Sequence, residues 1–405
     1  MAFGIHLTRR AFAGAVGATF ASAMIPRSAS AASARDPRFV VVILRGALDG
    51  LSAVAPIGDP DYADLHGALA LEWGGAHPAL RLDGFFGLNP AMANFARLYQ
   101  AKQALVVHAT ATAYRERSHF DGQDVLESGL APGHVESGWL NRAVAALPAG
   151  ERVGAGGALA VGAIAPLVLR GPAPVLGWAP SGLATPSDDL VARLTDLYNH
   201  ADPALAKALQ AGFDADRMAM QHGMDGVKPG GDVALAMRKA AEGAARLMSA
   251  DDGPRIGALA FDGWDTHANE GGATGRLAQL LGGLDGAFAA FESELGPRWN
   301  DTVVVAITEF GRTAHINGTV GTDHGTATVA FLVGGALAGG RVVADWPGLK
   351  TADLYEQRDL KPTTDLRAVL KGVLADHLGL SAATLTQSVF PDTLGVAPMK
   401  GLIAA

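Results

Sequence analysis

Runs of apolar and β-branched residues recur along the chain at wide intervals. Such runs are typical of strands that are buried on both faces of a parallel sheet. They fall at residues 39–44, 104–108, 256–261, 302–308 and 329–333. A further apolar segment, 158–169, is interrupted by Gly162 and Pro166, which predicts short strands in place of one long strand.

Between these runs, apolar residues follow a helical period, most clearly in the long amphipathic stretch 276–295. Helices are predicted at 91–101, 118–128, 203–221, 232–249, 276–295 and 364–378. Strands that alternate with helices favour a doubly wound α/β fold, in which a mostly parallel sheet carries helices on both faces. Residues 35–405 are therefore expected to form a single domain with an elaborated middle at about 130–250.

The first 31 residues have the pattern of a signal peptide. Arg9 and Arg10, followed one residue later by Phe12, precede a weakly hydrophobic run and small residues that suit cleavage near Ala31 or Ala34. The paired arginines predict export by the twin-arginine route, to the periplasm or beyond. The alternative is a membrane anchor, but a run of about 14 residues is shorter than the ~20 that a span requires.

Composition narrows the classes of function. The 405 residues include no cysteine, which excludes disulfides, iron–sulfur clusters, cysteine-bound zinc and a thiol nucleophile. The formal net charge of −8 becomes −11 when cleavage removes three arginines and no acid, so a nucleic-acid partner is not expected. After the signal peptide, every long apolar run is broken by Gly, Pro or charge, and no membrane span is expected.

Polar residues that could bind a metal follow the ends of the predicted strands. In open α/β sheets, ligands bind at the carboxyl ends of the strands, so side chains that are distant in sequence converge there. Without cysteine, a divalent metal must be held by imidazole and carboxylate groups, which suit zinc, manganese, magnesium or calcium. The candidate ligands are Asp49, Asp265, His267, Glu309, Asp323 and His324.

Each of these residues also has a purely structural interpretation. Asp49 and Asp265 could be turn residues, and His267 could be an exposed side chain. Glu309 could form an ion pair with Arg312, and Asp323 with His324 could belong to an ordinary polar loop. The placement of all of them at one sheet edge is what favours a metal site.

Five sequence blocks resemble the signatures of a bacterial family that is exported by the twin-arginine route, domain of unknown function 1501. They are RGALDG at 45–50, RSHFD at 117–121, GWDTH at 263–267, TEFGRT at 308–313 and GTDHG at 321–325. That family is similar to the alkaline phosphatase and sulfatase superfamily, which implies a two-metal site at this sheet edge. Asp49, Asp265, His267 and His324 match its metal-binding positions, and Glu309 stands for an Asp. Phe310 departs from the pattern, because the superfamily has a His there.

The same resemblance implies a nucleophile at the start of a helix near the metals. Ser118 is the candidate, with Arg117 and Arg115 holding the oxygens of an anionic ester. Ser118 followed by Asp121 also resembles a capping box, so a purely structural cap is the alternative. His119 could be a metal ligand, an acid/base group or a packed helix residue.

Two functions are consistent with the sequence. The first is an exported, metal-dependent hydrolase of phosphate or sulfate esters, in which Ser118 or an activated water attacks the ester. The second is a non-catalytic periplasmic protein of the same fold that binds a partner or an envelope polymer. The retained Asp, Glu and His residues favour the first, and Phe310 favours the second.

Overall fold

The computed structural model describes residues 36–133, 136–148, 157–180 and 232–404, with a few single positions between 194 and 212. The predicted signal peptide and the predicted helix at 203–221 fall outside this part, as does much of the segment 130–250. The described strands are, in chain order, β1 (Arg38–Arg45), β2 (Val54–Ala55), β3 (Leu80–Arg81), β4 (Gly87–Leu88), β5 (Ala104–Ala111), β6 (Ala158–Val161), β7 (Val175–Trp178), β8 (Ile256–Asp262), β9 (Thr302–Ile307), β10 (Thr328–Val333), β11 (Arg341–Val343) and β12 (Thr364–Asp365).

A nine-stranded sheet forms the centre of the described part, in the order β11-β5-β10-β9-β1-β8-β6-β7, with β12 beside β5. β1 pairs in parallel with β8 and β9, and the pairs β6–β8, β6–β7, β11–β5 and β12–β5 are also parallel. β10 pairs antiparallel with β9 and β5. No described helix lies between β9 and β10, and a parallel pairing would need a long crossover there. The prediction of a mostly parallel α/β sheet is confirmed.

Helices cover both faces of the sheet because the central strands are apolar on both sides. Val40, Val42 and Leu44 of β1 pack with residues of helices 93–100, 233–249 and 276–295. The alternate residues of β1, Phe39 among them, pack with helices 139–145 and 366–376. The helices are α1 (Gly50–Ala53), α2 (Tyr62–His66), α3 (Ala93–Gln100), α4 (His119–Ser128), α5 (Trp139–Ala145), α6 (Val233–Ser249), α7 (Arg276–Leu295), α8 (Leu366–Asp376) and α9 (Ala382–Thr384).

Some predicted boundaries are wrong. β5 continues to Ala111, three residues past its predicted end. Segment 158–169 contains one strand, β6, and then a 3₁₀ turn at Leu167–Leu169. The C-terminal helix begins at Leu366 because Thr364 and Asp365 pair with β5, and the Asp365 carboxylate caps the helix. Among the described residues, no helix is long and apolar enough to cross a membrane.

Candidate metal centre

Three chain segments bring histidines to the carboxyl edge of the sheet. β5 leads through residues 112–118 to His119, the first residue of α4. The loop after β8 carries Asp265 and His267. His324 lies just before β10, and because β10 is antiparallel to β9, its amino end lies at the edge where β9 ends. The direction of one strand therefore places a late histidine beside the others.

Four side chains converge at this edge through single atoms. The Nε2 atom of His324 lies 2.9 Å from the Nε2 atoms of both His119 and His267. Asp265 Oδ1 lies 3.0 Å from His267 Nε2, 3.4 Å from His324 Nε2 and 3.5 Å from His119 Nε2. One ligand atom each from His119, Asp265 and His324 falls within 4.8 Å of the other two.

The groups behind the imidazoles determine which nitrogen carries the proton. The Nδ1 atom of His119 lies 2.8 Å from Glu309 Oε1, and that of His324 lies 2.9 Å from the carbonyl oxygen of Arg117. Both partners accept hydrogen bonds, so Nδ1 of each ring is the donor, and the Nε2 atoms of the two rings face each other. His267 Nδ1 faces Asp323 Oδ1 at 3.3 Å in the same way. A proton held at Nδ1 leaves Nε2 as the nitrogen that a deprotonated ring offers to a metal ion.

Ionisation of the cluster follows from these contacts. The hydrogen bond from His119 Nδ1 to Glu309 raises the pKa of His119, against the effect of its partial burial. Burial lowers the pKa of His324, and the neighbouring charge of His119 lowers it further. Burial opposes ionisation of Glu309, but its hydrogen bonds, first that from His119, hold its pKa below the usual value. His324 is therefore in the neutral form that a metal ligand requires.

Arg312 is fully buried beneath the cluster. Its Nη1 donates to Asp265 Oδ1 at 2.9 Å, and its Nε donates to Thr322 Oγ1 at 3.2 Å. Burial would raise the pKa of Asp265, but the Arg312 charge and hydrogen bond hold it below its usual value. The hypothesis that Arg312 pairs with Glu309 is wrong, because the guanidinium is turned to Asp265. Thr322 in turn donates to the buried carboxylate of Glu270 at 2.6 Å.

Phe310 forms an apolar support for two of the imidazoles. Its ring stacks on His119 with centroids 5.0 Å apart, and it lies 5.3 Å from the ring of His324. Helix α4 approaches closely enough for this contact because Gly122 faces the Phe310 ring. Phe310 is 2% exposed and supports the rings of His119 and His324 from behind.

The sequence candidates are thus placed in different roles. Asp265, His267 and His324 belong to the convergent set, and His119 joins them. Glu309 and Asp323 lie behind imidazoles, as acceptors for Nδ1. Asp49 is directed elsewhere: its carboxylate accepts from Leu51 N at 2.9 Å and lies 3.1 Å from His66 Nε2, with both side chains buried.

Ser118 occupies the N-cap position of α4, but its side chain makes no capping hydrogen bond. The predicted capping box is absent because the Tyr114 hydroxyl lies between its two members. Ser118 N donates to Tyr114 Oη at 3.3 Å, and Tyr114 Oη donates to Asp121 Oδ2 at 3.3 Å. The Arg117 side chain is engaged with Asp359 and Glu356, and its contact with the cluster is through its backbone carbonyl.

Sequence reasoning missed Asp359, Tyr114 and Glu270, and it left the role of His119 open. His119 is the second residue of the predicted helix 118–128 and lies inside one of the signature blocks, which was a usable signal. The block RSHFD places it one residue after the N-cap, where a side chain lies at the sheet edge. Asp359 has no comparable signal, because it lies in a polar loop far from every predicted strand end.

The donor set is of the kind that binds a divalent metal ion. Imidazole and carboxylate groups are ligand types that zinc, among other divalent ions, accepts. Each imidazole has an acceptor behind it, as metal-bound histidines commonly do. The side chains of Asp265 and His267 are 42% and 45% exposed, so a small molecule can reach the cluster from solvent.

Fold and site together define an α/β protein with a histidine and carboxylate cluster at the carboxyl edge of its sheet. The chain belongs to the family described as protein of unknown function (DUF1501), whose sequence model matches residues 36–389. No curated protein matches the chain. A solved structure titled "Crystal structure of Ps i-CgsB in complex with k-i-k-neocarrahexaose" is similar over 89% of this chain and 77% of its own, at 11% identity and a TM-score of 0.43. A likeness of that size assigns neither fold nor function.

Proposed function

We propose that the protein is a metal-dependent hydrolase of phosphate or sulfate esters. The observation that carries this proposal is the convergence of three Nε2 atoms and one carboxylate oxygen, with a hydrogen-bond acceptor behind each imidazole. His119, Asp265, His267 and His324 would hold one divalent ion, with zinc as the first candidate. The motifs also resemble those of alkaline phosphatases and sulfatases. That resemblance supports anionic esters as the proposed substrates and an alkaline-phosphatase-like sheet as the proposed fold.

A divalent ion held there would polarise an ester oxygen and acidify a water molecule. The residues of the chain supply the rest. Glu309, Asp323 and the Arg117 carbonyl fix the imidazoles in the tautomer that faces the substrate side. Arg312 holds Asp265 in place. Ser118 begins helix α4, where its backbone N donates to Tyr114 Oη, and a water molecule is the proposed nucleophile.

The metal and the hydrolysis are tested together on the purified mature protein. We expect about one zinc per chain after reconstitution, and hydrolysis of p-nitrophenyl phosphate or p-nitrophenyl sulfate. His324→Ala should lose both metal and activity, whereas His77→Ala, at an exposed histidine outside the cluster, should lose neither. Activity without bound metal, or full activity in His324→Ala, would refute the proposal.

A second candidate is a binding protein that retains a metal but does not catalyse. The ion pairs that occupy the Arg117 side chain favour it, because that guanidinium is not free to bind an anionic ester. The same experiment separates the two candidates. Stoichiometric metal with no turnover of either ester, and retention on an envelope polymer such as peptidoglycan, would support the binding protein.

We also propose export by the twin-arginine route, from the Arg9–Arg10 pair ahead of a weakly hydrophobic run. Replacing both arginines by lysine should leave the precursor in the cytoplasm. Processed protein in the periplasm of a strain that lacks the twin-arginine translocase would contradict this.

A further inference from the structure

Asp359 is a fully buried carboxylate that holds two arginines next to the candidate metal centre. Its Oδ2 accepts from Arg117 Nε at 3.0 Å, from Arg117 Nη2 at 2.8 Å and from Thr326 Oγ1 at 2.8 Å. Its Oδ1 accepts from Arg358 Nε at 2.8 Å. A buried carboxylate with two cationic partners is strongly fixed, since removal of any partner leaves charge uncompensated.

Both arginines reach His324 from this carboxylate. The Arg117 carbonyl oxygen accepts the hydrogen bond of His324 Nδ1 at 2.9 Å. Arg358 Nη2 donates to the backbone carbonyl oxygen of His324 at 2.5 Å. His324 is therefore held at its ring and at its backbone by two residues that share one buried anion.

The backbone of Arg117 shows that this arrangement has a cost. Its φ of 59° is in the left-handed region, which an arginine seldom adopts. Strained residues of this kind persist where the surrounding structure holds them, and they cluster at functional sites. The ion pair with Asp359 fixes the Arg117 side chain, so the strained carbonyl stays directed at His324.

The backbone at Asp359 is held by contacts with two other segments of the chain. Its backbone exchanges hydrogen bonds with Tyr355, at 3.0 Å and 2.9 Å, and bridges to Thr313. Arg312, the residue before Thr313, forms an isolated β-bridge with His324. The segment 355–359 is thus tied by backbone contacts to the loops that carry the cluster.

We propose that Asp359 is a positioning residue of the metal centre, which sets the tautomer and orientation of His324 through Arg117 and Arg358. The proposal rests on the metal centre of the proposed function. Asp359 touches neither the metal nor the substrate, and it acts by holding the acceptor of the His324 Nδ1 proton. Without it, the Arg117 carbonyl can turn away, and His324 can place its proton on Nε2, where it blocks metal binding.

The test compares Asp359→Asn with Glu356→Gln in the mature protein. Both changes remove a negative charge next to Arg117, but Glu356 is an exposed partner whose pairing contributes little. Zinc affinity is measured by competition with a chromophoric chelator. The tautomer of His324 in the zinc-free protein is read from its imidazole ¹⁵N chemical shifts. We expect zinc affinity to fall by about 10- to 100-fold in Asp359→Asn, the range typical of outer-shell changes. A partial shift of the proton to Nε2 should accompany it. Glu356→Gln should leave both near wild type.

Arg117→Lys provides the same test if Asp359→Asn does not fold. It keeps the positive charge but loses the two-point contact with Asp359, so it should weaken zinc binding in the same range. Unchanged zinc affinity and unchanged His324 tautomer in a folded variant would overturn the positioning role while leaving the metal centre intact. A wild-type protein that binds no zinc would instead overturn the metal centre itself.

Discussion

At the scale of single residues, the group behind each imidazole decides its chemistry. His119, His267 and His324 present the same atom, Nε2, because a carboxylate or carbonyl occupies the position beside Nδ1. The three histidines thereby direct the same nitrogen to one point at the sheet edge. Glu309 and Asp323 are not ligands in the proposed centre. Their carboxylates accept hydrogen bonds from the Nδ1 atoms of His119 and His267 and so orient these rings.

The buried pair of Asp49 and His66 is a second place where a contact between two side chains decides their ionisation. Burial opposes both charges, but the mutual attraction raises the pKa of His66 and lowers the pKa of Asp49. The stabilisation from His66 is then complete below its unfolded pKa of about 6.5 and is lost as pH rises through its raised folded value. The share from Asp49 is complete above about 3.9 and is lost as pH falls through its lowered value.

We expect His66→Ala to lower the free energy of unfolding by about 3–5 kcal/mol near pH ~6, because it leaves the Asp49 carboxylate unpaired. The difference from wild type should shrink as pH rises through the folded pKa of His66. Urea denaturation of both proteins across this range measures it. A difference that grows with pH would show that the pair is not ionised as described.

At the scale of elements, helix α4 is the part that must approach the strand ends closely. A Cβ built on Gly122 would lie 2.9 Å from Phe310 Cε1 and 3.4 Å from Glu309 Cβ. Because the first residue of α4 is His119, any displacement of the helix moves a member of the cluster. Helix propensity alone would favour alanine over glycine by about 1 kcal/mol, so packing and propensity oppose each other at this position.

Gly122→Ala should therefore weaken zinc binding by about tenfold, the lower end of the range for changes around metal-bound histidines, because the added methyl group displaces α4 and with it His119. The matched control is Gly286→Ala in α7, where the nearest atom to the added Cβ is Arg238 Cβ at 3.9 Å. That variant should keep its zinc affinity and gain up to about 1 kcal/mol in the free energy of unfolding. Equal zinc affinity in the two variants would mean that the position of α4 does not control the site.

Most strands of the central sheet could be located from the sequence, but the direction of β10 and the contacts between loops could not. The apolar runs located β1, β5, β8, β9 and β10, because burial on both faces leaves a continuous apolar signature. The direction of β10 was not predictable from its own residues, since it depends on the loop that precedes it. The Arg312–Asp265 contact was missed for a similar reason, because the side chain's partner is decided by packing between loops far apart in sequence.

At the scale of the whole molecule, the candidate metal centre joins segments that the chain separates by up to 205 residues, from His119 to His324. We expect the sheet and its two hydrophobic faces to form without the metal, because their strands pair and pack through residues outside the cluster. A metal that binds only the folded state stabilises it in proportion to the logarithm of its concentration. Zinc should therefore act on stability without creating the fold.

Zinc at about 100 times its dissociation constant should raise the free energy of unfolding by about 2.7 kcal/mol. Removal by EDTA should reverse this while the far-ultraviolet circular dichroism stays that of a folded α/β protein. Thermal denaturation over a zinc titration measures the effect, with His324→Ala as the variant that should show none. Loss of secondary structure in EDTA would contradict a fold that stands without the metal.

The central claim is that His119, Asp265, His267 and His324 bind one divalent ion at the carboxyl edge of the sheet. An anomalous difference map at the zinc edge, from crystals of the reconstituted protein, tests it most directly. We expect a single strong peak about 2.0–2.2 Å from Asp265 Oδ1 and from the Nε2 atoms of the histidines, with Glu309 and Asp323 behind the rings. A map with no peak at this cluster, or with its strongest peak at Asp49 and His66, would contradict it.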